Sequence, residues 1–78
     1  MDYDREKVDE LMLALLYLGM SKQGAGGRAW KGPNLEVLNR LHQKGWIGDP
    51  MGKAPSVDVT PAGWQRAEEL FRIHFGRT

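Results

Sequence analysis

His42 and His74 are the only imidazoles in this chain of 78 residues, and there is no cysteine. Acid–base or metal chemistry would pair His42 with Asp49, or His74 with Glu68 or Glu69. None of these pairs has the spacing of a catalytic or metal-ligand motif, so both histidines read as surface or half-buried side chains. Ser21 and Ser56 have no general base in readable context. Gly24, Gly26 and Gly27 share only composition with a phosphate loop, since no strand precedes them and no Gly-Lys-Ser/Thr follows. The adjacent carboxylates Asp9–Glu10 and Glu68–Glu69 sit on helices, point in different directions and read as solvated. The residues therefore assemble no catalytic set, no metal site and no cofactor site. The chain reads as a binding module, not an enzyme.

Charge is the next source of chemistry. The net charge is only +1, but its distribution is uneven. Residues 1–20 carry a net of −3, residues 21–56 a net of +4, and residues 57–78 balance. Any contact with phosphate is therefore expected in the middle of the chain, through Lys22, Arg28, Lys31, Arg40, Lys44 and Lys53. The same asymmetry is also what a solvated face of charges looks like. Trp30 lies between Arg28 and Lys31, where an aromatic can stack on a base or seat a partner's side chain. The reading favoured here is that Trp30 plugs the core, and that Trp46 and Trp64 are structural as well.

The elements that must position these residues follow from periodicity and capping. Asp2 or Asp4 caps a first helix, with Glu6 in its first turn facing the positive end of the dipole. Val8, Leu11, Met12, Leu15, Leu16 and Met20 form its main apolar stripe, and Leu13, Tyr17 and Leu18 carry apolar surface well around the cylinder. Such a helix needs cover on several sides, either from a second copy of the chain or from the C-terminal helix. Ser21–Gly27 reads as a glycine-rich loop, and Arg28–Lys31 as a short strand or extended anchor. Gly32-Pro33 breaks the chain, Asn34 caps a second helix, and Gly45 ends it. Leu35, Leu38 and Leu41 are its expected buried stripe, with Val37 beside it. Glu36, Asn39, Arg40, Gln43 and Lys44 fall on the exposed side, with Glu36 and Arg40 spaced to pair. Trp46–Gly48 and Ser56–Thr60 read as two strands of a hairpin around a turn-rich tip. Thr60 caps the last helix with Pro61 at its first position, and Trp64, Ala67, Phe71 and Phe75 form its apolar stripe, joined by Leu70 and Ile73.

This order predicts a single domain over residues 1–78, α+β and mainly α: helix, glycine-rich connection, helix, two-stranded hairpin wing, C-terminal helix. A chain of this size buries only about 60% of its unfolded surface, so its core is small. The longest apolar run, Leu11–Leu18, falls far short of the roughly 20 residues that span a bilayer. The first residues are acidic where a secretory signal is basic, and the lack of cysteine suits a reducing compartment. A cytoplasmic location without membrane contact is expected.

Leu35 to Ile47, followed by a polar hairpin and then Val57-Asp58-Val59-Thr60-Pro61-Ala62-Gly63, resembles winged-helix transcription regulators of the MarR and PadR type. Those carry L-x-x-L-x-x-x-G-[LW]-I, a basic wing and V-x-L-T-x-x-G. The whole chain, including Gly27 to Gly32, also resembles a family of short bacterial proteins of unknown function. The regulator resemblance implies double-stranded DNA as partner, with the helix before the wing in the major groove. It places Asn34, Glu36, Asn39, Arg40, Gln43 and Lys44 on the reading helix and Lys53 at the wing tip. Arg28 and Lys31 complete the candidate DNA-contacting set from the basic middle segment. Between Gly27 and Asn34 there is room for no more than one helical turn, and the wing has a single cation. Six cations spread over this segment amount to three or four phosphate contacts per protomer. A protein-interaction or dimerisation domain, paired through its first or last helix, is the alternative expectation.

Overall fold

In the computed structural model, which describes residues 1–32 and 34–77, the helices begin where short-range capping chemistry puts them. Asp4 accepts the Lys7 amide through Oδ1 at 3.1 Å and opens α1 (Arg5–Leu16). Asn34 accepts the Val37 amide at 3.1 Å and opens α2 (Leu35–Gln43). Thr60 accepts the Gly63 amide at 3.0 Å and opens α3 (Pro61–Phe75), with Pro61 at its start. Gly45 follows α2 at φ 79°, the left-handed conformation that lets the chain turn after the helix. Pro33, expected as the breaker before α2, lies outside the described residues.

Three strands complete the domain: β1 (Ser21–Gln23), β2 (Gly26–Trp30) and β3 (Ser56–Val59). They form one antiparallel sheet in the order β1-β2-β3. The fold is thus α+β, about half helical, with three helices and a three-stranded sheet, consistent with a small winged-helix-like domain. No helix is long and apolar enough to cross a membrane among the described residues.

Two expectations are corrected. Ser21–Gly27 is not a loop: it forms β1 and the start of β2, paired as Ser21 with Arg28 and Gln23 with Gly26. The expected strand at Trp46–Gly48 is reduced to one bridge, Ile47 to Val59, and β3 pairs chiefly with β2 instead. The physical reason is that Gly27 and Ala29, small and buried, let β2 lie flat over α3 beside Val57 and Val59. The Gly48 amide still donates to the Asp58 carbonyl at 2.8 Å, and the Thr60 amide to the Trp46 carbonyl at 3.1 Å. These bonds lock the end of α2 to the start of α3. Gly63 packs so closely on the Trp46 carbonyl that a Cβ there would overlap it.

The core gathers Leu13, Leu16, Leu38, Leu41, Ile47, Val57, Ala67 and Leu70. A short 3₁₀ turn, Tyr17–Gly19, continues α1. Tyr17 packs edge-on against Trp64 at 5.8 Å and tilted against Phe71 at 5.5 Å, and Tyr17, Trp46 and Phe71 lie partly buried against the core. The apolar stripes are narrower than expected: Leu35, Ile73 and Phe75 are exposed.

Candidate functional site

α2 is the expected reading helix, and its side chains divide into two groups. Asn34, Gln43 and His42 are exposed, and Asn39 is half-buried. Arg40 and Lys44 do not point to solvent as expected. They turn toward α1, where Asp9 is fully buried at 0% exposure. Arg40 grips it through Nε at 3.0 and 2.9 Å and through Nη2 at 2.8 Å, and its Nη1 reaches Glu36 at 3.0 Å. Lys44 bonds Glu6 at 2.6 Å and lies 3.4 Å from Asp9. The reading of Asp9 as solvated is therefore overturned. Residue 9 faces α2 and residue 10 faces α3, and only the relative placement of the helices decides which carboxylate is enclosed.

Electrostatics follow from this enclosure. Burial works to raise the Asp9 pKa, but the hydrogen bonds and charge of Arg40, then those of Lys44, outweigh it and hold the carboxyl below its ordinary value. The Glu6 hydrogen bond, aided by Asp9, raises Lys44, and the Asp9 hydrogen bonds raise Arg40. Every buried side-chain polar atom among the described residues has a partner. The cluster holds α1 to α2 and leaves these two cations little capacity for a phosphate.

Arg28, Lys31 and Lys22 of the middle segment are also engaged. Arg28 donates from Nη2 to Ser56 Oγ at 2.7 Å and from Nη1 to Asp58 at 2.5 Å. Lys31 donates to the Gly52 carbonyl at 2.6 Å, tying β2 to the turn before β3. Lys22 sits 4.4 Å from the Trp64 ring centroid. Among the described residues, Lys53 makes none of these contacts and is exposed in the 50–55 turn. Of the candidate set, the fold brings Arg40 and Lys44 together at α1 and ties Arg28 to β3 and Lys31 to the turn before it. It leaves Asn34, Gln43 and Lys53 outward.

The histidines take structural positions. His42 Nδ1 lies 3.0 Å from the Ile47 carbonyl, not at Asp49. His74 lies 4.0 Å from Glu10, not at Glu68 or Glu69. Glu68 instead accepts from the Tyr17 hydroxyl at 3.1 Å, which raises the Tyr17 pKa.

The second surface is the outer face of the sheet. Strand alternation turns Gly27 and Ala29 inward and Arg28 and Trp30 outward. Trp30 is 67% exposed, so it does not plug the core. It borders a shallow cleft of about 350 Å³ lined by Gly19, Ser21, Arg28, Ala29, Trp30, Pro55 and Ser56. That volume is at the small end of ligand pockets. The cleft combines an exposed indole, a proline, two hydroxyls and a guanidinium already neutralised by Asp58. This is chemistry for seating a side chain more than for gripping an anion. A strand reading begun at Gly26 would have found it, because the parity of the two small residues sets the side on which Trp30 emerges.

Residues 4–77 match the family described as Domain of unknown function (DUF6429). A relative from Sinorhizobium fredii (strain NBRC 101917 / NGR234), "Uncharacterized protein y4hR", is 42% identical over 77 residues, covering 99% of this chain and 100% of its own. No solved structure matches the chain.

Proposed function

The chain belongs to the family described as Domain of unknown function (DUF6429), and from that premise we propose that it is a non-enzymatic, winged-helix-like module that binds a protein partner. The observation that carries this reading is the disposition of α2: its two strong cations are spent on Asp9, Glu6 and Glu36. Apolar surface, by contrast, is left open at Leu15, Leu18, Trp30, Met51 and Ile73. Affinity for DNA rests on free cations, and affinity for a protein rests on aromatic and aliphatic anchors. The winged-helix likeness is supported by the order helix, two strands, helix, bridged turn, strand, helix, and a cysteine-free sequence suits a cytoplasmic setting.

The test has two arms. A labelled mixed-sequence duplex is titrated at about 50 and 200 mM salt, and no saturable anisotropy change is expected at either. The wild-type chain and Trp30→Ala are then used as paired baits, and a partner retained by the first and lost by the second is expected. Saturable duplex binding that weakens by about an order of magnitude between the two salts would overturn the reading. DNA contact is the second reading, favoured by the outward Gln43 and Asn34 on α2 and by exposed Lys53.

A further inference from the structure

α1 has two covered sides and one open one. The side through Asp9 faces α2, and the side through Glu10 and Tyr17 faces α3. At 100° per residue, Val8, Leu11 and Leu15 fall within an arc of about 60° on the remaining side of α1, and Leu18 follows in the 3₁₀ turn that continues the helix. Leu15 is 50% and Leu18 is 71% exposed, and Val8 and Leu11 are half-buried. Their spacing of three, four and three residues is the a/d seam of paired helices; Val8 also packs against the chain's own core, whereas Leu11, Leu15 and Leu18 are additional to the set that fills it.

We propose that this seam pairs with the same seam of a second copy, antiparallel, in a twofold dimer. The inference rests on reading the chain as an interaction module and names its first partner. The seam is palindromic: reversed about its centre, Val8 meets Leu18 of the other copy and Leu11 meets Leu15, so one surface is complementary to itself. Charge selects the direction. Parallel pairing would set Arg5 and Lys7, which flank the seam, beside their own copies. Antiparallel pairing sets them at the other copy's Leu18–Gly19 end, where the last helical carbonyls carry the negative end of the dipole.

Area is supplied from both flanks. The seam is only about 15 Å long, and a stable interface needs about 800 Å² from each partner. On one flank, the Met12 sulfur lies over Gly32 and Gly19 shares the cleft with Trp30, so the exposed indole stands beside the seam. On the other, α3 runs alongside α1 to Phe75, which is 45% exposed. Both aromatics extend the helix contact.

The experiment uses the full chain. Light scattering over about 10 to 500 µM is expected to show the mass rising from 8.8 kDa toward twice that value. Leu15→Lys, at a half-exposed position, is expected to stay monomeric with an unchanged circular dichroism spectrum, and Gln65→Lys, at an exposed position off the seam, to dimerise as the wild type does. Because the chain has no cysteine, direction is read by oxidation. An equimolar mixture of Val8→Cys and Leu18→Cys is expected to cross-link at least about tenfold faster than either alone. A mass of 8.8 kDa throughout the range overturns the seam pairing while leaving the partner reading to the Trp30→Ala comparison. Equal or faster cross-linking of the single variants overturns the antiparallel arrangement.

Discussion

Replacing Arg40 with alanine leaves the Asp9 carboxylate in the interior with only Lys44, at 3.4 Å, for company. Stranding a buried carboxylate in this way costs about 3–5 kcal/mol. A chain of this length has a total stability of about 4–12 kcal/mol at 0.05–0.15 kcal/mol per residue. The urea dependence for a domain this small is about 1 kcal/mol/M. Arg40→Ala is therefore expected to lower the urea midpoint by about 3 M or to prevent folding. Asp9→Asn keeps the shape and an acceptor oxygen while removing the charge, and it leaves two cations that already reach Glu36 and Glu6. Its expected cost is smaller, about 1–3 kcal/mol. The double replacement Asp9→Leu with Arg40→Met removes both charges and is expected to recover most of the loss. Urea titrations followed by circular dichroism measure all three. A midpoint shift for Arg40→Ala below about 0.5 M, as for a solvated surface pair, would refute the reasoning, as would a double variant no better than the worse single one.

The same cluster sets an acid limit. Because the folded Asp9 pKa is lowered, its contribution is present above the unfolded value near 3.9 and is lost as pH falls through the folded one. Urea midpoints are expected to decline from about pH 4 downward, with a shallower decline in Asp9→Asn. Thr60 both caps α3 and donates to the Gly45 carbonyl at 2.6 Å, so Thr60→Ala is expected to cost about 1–2 kcal/mol in the same titration. Trp30→Ala, which removes an exposed ring, is expected to change stability by no more than about 0.5 kcal/mol. A larger loss would return Trp30 to the core.

What was legible beforehand depended on the range of the interaction. Asp4, Asn34 and Thr60 each accept an amide three residues ahead, so their helix starts are written locally, and Gly45 marks its turn in the same way. β1 and the start of β2 were hidden because residues 21–27 are polar and glycine-rich. β1 pairs with β2 across the two-residue Gly24-Ala25 turn, and β2 is held in turn by β3, about 30 residues further on. Asp9 was hidden for a related reason. Nothing near it distinguishes it from Glu10, and its partner lies on α2, 31 positions away. The cleft beside Trp30 likewise needed the alternation of a strand whose first half looked like loop. The net +4 of residues 21–56 is legible in the sequence, but the intramolecular partners that hold most of it lie on other elements.

The antiparallel packing of α1 on α3 also shapes how the chain is made. Tyr17 finds its ring partner in Phe71 and its acceptor in Glu68, and Glu10 finds His74. At about 5–20 residues per second, a ribosome reaches those partners about 3–11 s after α1 has been synthesised. During that interval α1 lacks α3, and the apolar side it turns to that helix stays open to whatever is nearby. Neighbouring contacts alone cannot finish this core. The chain closes late, and quality control meets it first as an exposed, Leu-rich amphipathic helix.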